Sequence, residues 1–269
     1  MKVIISHDID HMTVWEHLPK DLILPKFIVR SNIELLKGKI QLAEYFNRHT
    51  DFIANKWQGI KEVMDFNDSV GIKSTFFIGV NNGVGLSYPL KHVRKWVPTI
   101  QQRGFEIGVH GINFQSYDAI KYEYDLFKEI VGNENFGIRM HYLRKNETTF
   151  KNIEKVGYQY DATEQGFKNP FKIGDMWEFP LQIMDGWIIN GKNRYQTRTL
   201  EEAKKTTLEE IEKAKDAKLN YLSILFHDRY MSKSFKTWKN WYVWLIQYLI
   251  QEGFEFVVHE QAINELEGI

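Results

Sequence analysis

Two hydrophobic periods alternate along the chain. Short runs of β-branched and aromatic residues predict buried strands at Val3 to Ser6, Ser74 to Ile78, Phe105 to Val109, Tyr221 to Phe226 and Glu255 to Val258. Longer stretches with apolar residues three and four apart predict amphipathic helices. These run from about Phe27 to Phe46, Trp57 to Val70, Leu90 to Arg103, Tyr117 to Val131, Thr199 to Ala217 and Phe235 to Gln251. Gly71, Gly104, Gly157 and Gly253 each stand just before a β-rich run, where a helix C-cap followed by a short loop belongs.

Strands alternating with helices imply parallel strands joined by right-handed crossovers, hence an α/β sheet or barrel. Several of the strands are apolar through most of their length, as strands covered on both faces should be. The stretch from Gln165 to Arg198 is the least regular and predicts a hairpin or irregular lobe. No linker, charge block or repeat divides the 269 residues, so one domain over 1–269 is expected.

Composition narrows the partners. The 35 basic and 35 acidic side chains cancel, which removes the cationic surplus that nucleic acid or an anionic membrane requires. The absence of cysteine excludes a disulfide scaffold, a thiolate zinc site and a cysteine nucleophile, and fits a reducing compartment. The N-terminal MKVIISHDID has no signal-peptide core, and WYVWLIQYLI at 241–250 falls short of the ~20 residues that span a bilayer. A cytoplasmic location without membrane insertion is the expectation.

In parallel α/β folds, residues at the C-terminal ends of strands gather on one face. The first strand ends in His7-Asp8-Ile9-Asp10-His11, the third in His110, and the run at 221–226 is followed by His227-Asp228. A short apolar turn at Phe136 to Ile138 leads into Arg139-Met140-His141-Tyr142. Asp8 and Asp10 are two apart in extended chain, so both carboxylates point the same way. A helix cap would explain one aspartate but not two flanked by histidines. Carboxylate oxygen with imidazole nitrogen suits zinc, iron or cobalt. A lone His110 or His227 is ordinarily structural, and their weight comes from sharing one end of the sheet. Arg139 can pair with a carboxylate of the site or with one on the surface.

This order of motifs resembles the polysaccharide deacetylase superfamily (NodB-like, carbohydrate esterase family 4) over roughly residues 2 to 260. The resemblance implies a distorted (β/α) barrel of about seven parallel strands and metal-dependent removal of an acyl group from an amino sugar. The SHDIDH segment is similar to a divergent form of the family's usual pair of adjacent aspartates. EIGVHG, IRMHYLR, GYQYDAT and FPLQIMD resemble a subgroup linked to O-antigen biosynthesis. By this resemblance Asp8 is the general base, Asp10 and His110 are metal ligands, Arg139 orients the base and His227 is the general acid, with Leu225 two residues before it. The cofactor implied is a divalent metal, zinc first, with cobalt, nickel or iron as alternatives. The substrate implied is a nucleotide-linked or lipid-linked acylated amino sugar of surface polysaccharide or O-antigen assembly.

One motif departs from the pattern. The family has a second histidine four residues after the first, and here the sequence is His110-Gly-Ile-Asn-Phe114. His141 is the expected substitute ligand, with Asn113 and His11 as alternatives. Asp161 or Asp185 is expected to orient His227. The Phe114 departure also leaves a second reading, a degenerate barrel that binds carbohydrate or a partner without catalysis. A related C–N hydrolase with a small-molecule substrate is a third, since fold does not fix substrate.

Overall fold

A computed structural model describes residues 1–17 and 22–269. In chain order its elements are β1 (Lys2–Ile9), α1 (Ile23–Leu36), α2 (Leu42–Ile53), α3 (Ile60–Ser69), β2 (Thr75–Ile78), α4 (Leu90–Gln102), β3 (Glu106–Gly111), α5 (Tyr117–Val131), β4 (Ile138–Met140), α6 (Thr149–Val156) and β5 (Tyr160–Asp161). Then follow β6 (Phe171–Ile173), β7 (Met176–Glu178), β8 (Ile183–Met184), α7 (Asp185–Asn190), α8 (Leu200–Asp216), β9 (Tyr221–Leu225), α9 (Lys236–Gln251) and α10 (His259–Glu267). The strands form one curled half-barrel in the order β6-β7-β5-β4-β3-β2-β1-β9-β8. Every neighbouring pair is parallel except β6 with β7. This is the distorted α/β barrel expected from the alternation, with nine strands among the described residues instead of about seven. The additional strands are pieces of two or three residues that leave almost no periodic signal.

Strand alternation sorts β1 into two faces. Ile4 points inward with Phe77, Tyr160, Phe179 and Tyr221, and Ala262 and Ile263 of α10 close the bottom of this inner core. Val3, Ile5 and Ile9 point outward into the larger core beneath the helices. By the same period Ser6, Asp8 and Asp10 share the inner side, and His7 the outer. His7 donates from Nδ1 to the Phe226 carbonyl at 2.8 Å and packs 4.8 Å from the Phe76 ring. Burial pushes its pKa down to about 3, so it is a neutral core residue and not part of the chemistry. At Gly108 in β3, a Cβ would lie 2.7 Å from the Phe77 ring and 2.9 Å from the Gly137 carbonyl oxygen, so only glycine lets the barrel wall close there.

Two expectations need correction. The helix expected from Phe27 to Phe46 is two helices, broken where Gly38 takes φ +65° and ends α1. The apolar spacing continues across the break, which is why the sequence pattern merges them. Glu255 to Val258 is not a ladder strand. It makes a single parallel bridge from Phe256 to Val3 before the chain turns into α10. The irregular stretch does hold the expected hairpin, β6 with β7, together with the short β8 and α7. WYVWLIQYLI lies in α9, with Trp241, Tyr242, Leu245, Ile246 and Leu249 buried at roughly 1.5–3 kcal/mol of transfer free energy per large apolar side chain. Among the described residues no helix is long and apolar enough to cross a membrane.

Candidate active site

The parallel register brings the strand ends together. His110 of β3 lies opposite Arg139 of β4, and His141 follows β4 directly. His110 Nε2 and His141 Nδ1 are 2.9 Å apart, and they lie 3.2 and 3.3 Å from Asp10 Oδ1. The outer ring nitrogens fix the tautomers. His110 Nδ1 faces the Arg139 carbonyl at 3.0 Å and His141 Nε2 faces the Val84 carbonyl at 3.1 Å, so both must donate. When both rings are neutral the two inner nitrogens are left as lone pairs, converging with a buried Asp10 oxygen that has no hydrogen-bond partner. Three lone pairs pointed at one another repel unless a cation joins them. The set therefore fits a divalent metal, and two imidazoles with one carboxylate is an established donor combination.

His141 thus occupies the place expected of the substitute ligand. Its turn is strained, because Tyr142 and Leu143 both adopt left-handed backbone at φ 58° and 52°. The two alternatives lie elsewhere. Asn113 donates its backbone N–H to Glu123 at 3.1 Å, and His11 Nδ1 pairs with His17 Nε2 at 2.8 Å. Neither is in the triad. Phe114 packs on the core and carries the Arg144 guanidinium 5.2 Å from its ring centre.

Asp8 is buried beside the triad. Arg139, itself fully buried, donates from Nη1 to Asp8 Oδ1 at 3.0 Å and to Ser6 Oγ at 2.8 Å, and from Nε to the Ala162 carbonyl at 2.9 Å. Burial alone would raise the Asp8 pKa, but His110, Arg139 and His227 outweigh it and hold the carboxyl below its ordinary value. Asp8 is thus held as a carboxylate under the cavity.

His227 follows β9 on the other flank. Its Nδ1 donates to Asp185 at 2.9 and 3.1 Å from the two carboxyl oxygens, and its backbone N–H donates to Asp185 Oδ2 at 2.7 Å. Nε2 is left facing inward, 3.7 Å from Asp10 Oδ2. Burial would lower the imidazole, yet Asp185, Asp10 and Asp8 together push it well above its ordinary value. Asp185 thus orients the His227 ring, and the surrounding carboxylates favour its protonated form. Asp185 settles the choice of orienting residue. Asp161 is occupied instead with Glu178, across the β5–β7 pair, and burial pushes Asp161 up to about 6.

Four supporting groups escape sequence reasoning. Val84 holds His141 through a backbone carbonyl, which no side-chain pattern announces. Glu123 accepts from the N–H groups of Ile112 and Asn113 and so shapes the exit after His110. Tyr88 donates to the Ile9 carbonyl and accepts from the Gly79 N–H, both at 2.7 Å, tying the ends of β1 and β2 together. Glu178 reads as an ordinary strand carboxylate. Asp8, Asp10, His141 and His227 all open onto one cavity of about 570 Å³, within the ~300–1,000 Å³ usual for small-molecule sites.

The curled, mostly parallel half-barrel is the fold of solved polysaccharide deacetylase structures. A protein assigned as a polysaccharide deacetylase from Mycobacterium smegmatis superposes with a TM-score of 0.62 at 14% identity, covering 98% of this chain and 88% of that one. Puue allantoinase gives 0.61 at 12% identity, covering 97% and 87%. A CE4 family pseudoenzyme from Bacillus anthracis gives 0.52 at 8% identity, covering 97% and 64%. No protein-family model matches the sequence, and no curated protein matches it. At these identities the likeness is one of fold.

Proposed function

We propose that the protein is a metal-dependent hydrolase that removes an acyl group, acetyl in the simplest case, from an amino sugar in the cytoplasmic assembly of a surface polysaccharide such as O-antigen. One observation carries this reading: the convergent lone pairs of Asp10, His110 and His141 lie between an ionised Asp8 and a protonated His227. A divalent ion bound there would act as a Lewis acid toward water and the amide carbonyl. Asp8 accepts the proton of the attacking water, and Arg139 keeps Asp8 ionised and oriented. As the water oxygen bonds to the carbonyl carbon, the C–N bond breaks, and His227 Nε2 donates its proton to the departing amine. Asp185 holds His227 in the tautomer and orientation that this transfer needs. The acyl group leaves as a carboxylic acid and the sugar as a free amine.

The fold also hosts a chain described as a pseudoenzyme, so architecture alone does not carry catalysis. Phe114 favours the non-catalytic reading, and the position of His141 beside Asp10 and His110 supports the catalytic one. The test is metal analysis and acyl release from N-acetylated sugars by the purified protein. Near-stoichiometric divalent metal is expected, lost in Asp10→Ala and kept in Asp8→Asn, with turnover abolished in both. Equal metal in wild type and Asp10→Ala, or no acyl release from any N-acyl sugar, would overturn the reading.

A further inference from the structure

An ordinary surface helix turns its charges to solvent and its apolar stripe to the core. α2 does the reverse. Its three charged residues, Glu44, Arg48 and Asp51, are engaged with the protein, while Leu42, Phe46 and Ile53 stand in solvent at 61–78% exposure. Arg48 is buried, donating from Nη1 to Glu34 at 2.5 Å, from Nη2 to Glu44 at 3.3 Å and from Nε to the Ser234 carbonyl at 2.8 Å. Asp51 accepts from the Ser232 hydroxyl at 2.8 Å and from that of Ser234. These contacts fix the rotation of the helix about its axis. The other exposed positions of α2, Ala43 and Thr50, carry no charge.

α1 continues the same surface. The Tyr45 hydroxyl donates to Asn32 at 2.9 Å between the two helices. Ile28, Val29 and Leu36 lie three or four residues from Asn32, hence on its side of α1, and are 46–87% exposed. Leu42 and His49 stand in the same relation to Tyr45, so the two apolar sets meet at the Tyr45–Asn32 bridge. The exposed cations of α1 lean the other way: Lys26 lines the cavity, and Lys37 donates at 2.7 Å to the Tyr195 hydroxyl, which lines it too. At these exposures the six apolar side chains leave on the order of 700 Å², above the ~300–600 Å² usual for the largest patch of a monomer and about one partner's share of a standard interface.

Charge decides between occupants. A helix resting on a bilayer sets lysines and arginines beside its apolar face for the headgroups, and the one Lys or Arg of α2 is buried. A face depleted of charge with an aromatic side chain near its centre has instead the composition of a protein–protein interface core. The positions 42, 46, 49 and 53 are spaced 4-3-4, the repeat of a helix that pairs with another along its length. About a two-fold axis such a stripe meets itself antiparallel, with Leu42 opposite the partner's Ile53 and Phe46 opposite the partner's His49. No separate complementary surface is needed.

We propose that the α1–α2 face is the interface of a homodimer, in which the two α2 helices pack antiparallel with α1 beside them. The dimer is independent of the chemistry proposed for the site. Val29 belongs to this face and also lines the cavity, so the second copy borders the cavity mouth.

Sedimentation equilibrium of the purified chain over about 1–100 µM should approach a mass of about 64 kDa, twice the 32.0 kDa of one chain. Phe46→Glu places a charge near the centre of the stripe and should weaken association by about thirtyfold or more, with the circular dichroism spectrum unchanged because the side chain is exposed. Ile53→Lys, at the end of the stripe, should also weaken it, and decides alone if Phe46→Glu disturbs folding. Tyr122→Glu, on the exposed side of α5, should associate as the wild type does. A wild-type chain that is monomeric at about 100 µM would overturn the proposal, and so would association undiminished in both stripe variants. Vesicles of phosphatidylglycerol and phosphatidylethanolamine form a separate arm. A monomer that floats with them, and ceases to in Phe46→Glu, would make the face a membrane contact and overturn the dimer.

Discussion

Replacing Glu178 by glutamine should stabilise the protein in mild alkali. Asp161 and Glu178 face each other across the β5–β7 register, both wholly buried. Asp161 Oδ2 and Glu178 Oε2 lack any other partner, so they meet through a shared proton. Burial pushes Asp161 up to about 6, and burial together with the Asp161 charge pushes Glu178 well above its ordinary value. Because both pKa values are raised, the folded state keeps protons that the unfolded chain has released. Stability from the pair is complete below about pH 4 and is lost as the pH rises through about 6. Asp161 alone moves by roughly two units, at ~1.4 kcal/mol each, so the loss by pH 8 is on the order of 3 kcal/mol. Glu178→Gln keeps the oxygen that accepts the Glu164 N–H at 2.9 Å and offers Asp161 an amide donor that needs no titrating proton. The variant should be about 1–3 kcal/mol more stable than wild type at pH 8 and no more stable at pH 5. Urea midpoints at the two pH values measure this directly. A difference of the same sign and size at both would show that no proton is shared.

Three further outcomes follow from the site. Asp185→Asn should lower kcat by ~10²–10⁴-fold while metal content stays constant, because only the orientation and proton affinity of His227 change; metal analysis beside steady-state kinetics checks it, and parallel loss of metal would contradict it. His141→Ala should abolish stoichiometric zinc binding, whereas Asn113→Ala should leave it intact, as read by equilibrium dialysis; the opposite pattern would return Asn113 to the ligand set. In metal-free protein His110 is raised above its ordinary pKa, against the pull of burial, by Asp8 and Asp10. Zinc competes with that proton for the ring, so binding should release a proton fraction that grows as the pH falls, measured by calorimetry in two buffers of different ionisation enthalpy.

What the sequence made legible was local. The period of two placed Asp8 and Asp10 on one side of β1, and strand-end positions brought His110, Arg139 and His227 to one face. The gap at Phe114 directed attention to His141, whose ring does join theirs. What stayed hidden depended on contacts across the sheet. Asp161 and Asp185 looked equivalent because each stands at the end of a short strand. Only the pairing of β8 with β9 shows that Asp185 reaches His227, and only the β6–β7 hairpin returns Glu178 to Asp161. The break at Gly38 was masked by apolar spacing that runs through it. His7 looked functional by its neighbours, yet the alternation that aims Asp8 inward turns His7 into the outer core.

A barrel that stops short of closing keeps two free edges, and here both edges are short pieces of the sheet. β6 has three residues and β8 two, while the eight-residue β1 lies in the interior of the ladder. Lys172, at the middle of β6, is tied to Glu267 at 3.0 Å. A strand from another molecule could form only a few hydrogen bonds at either end before running out of template, and at one end it would meet a charge. The long apolar strands needed for the inner core are thus never offered to a neighbour. Crowded solutions of the folded protein should resist edge-to-edge stacking into fibres.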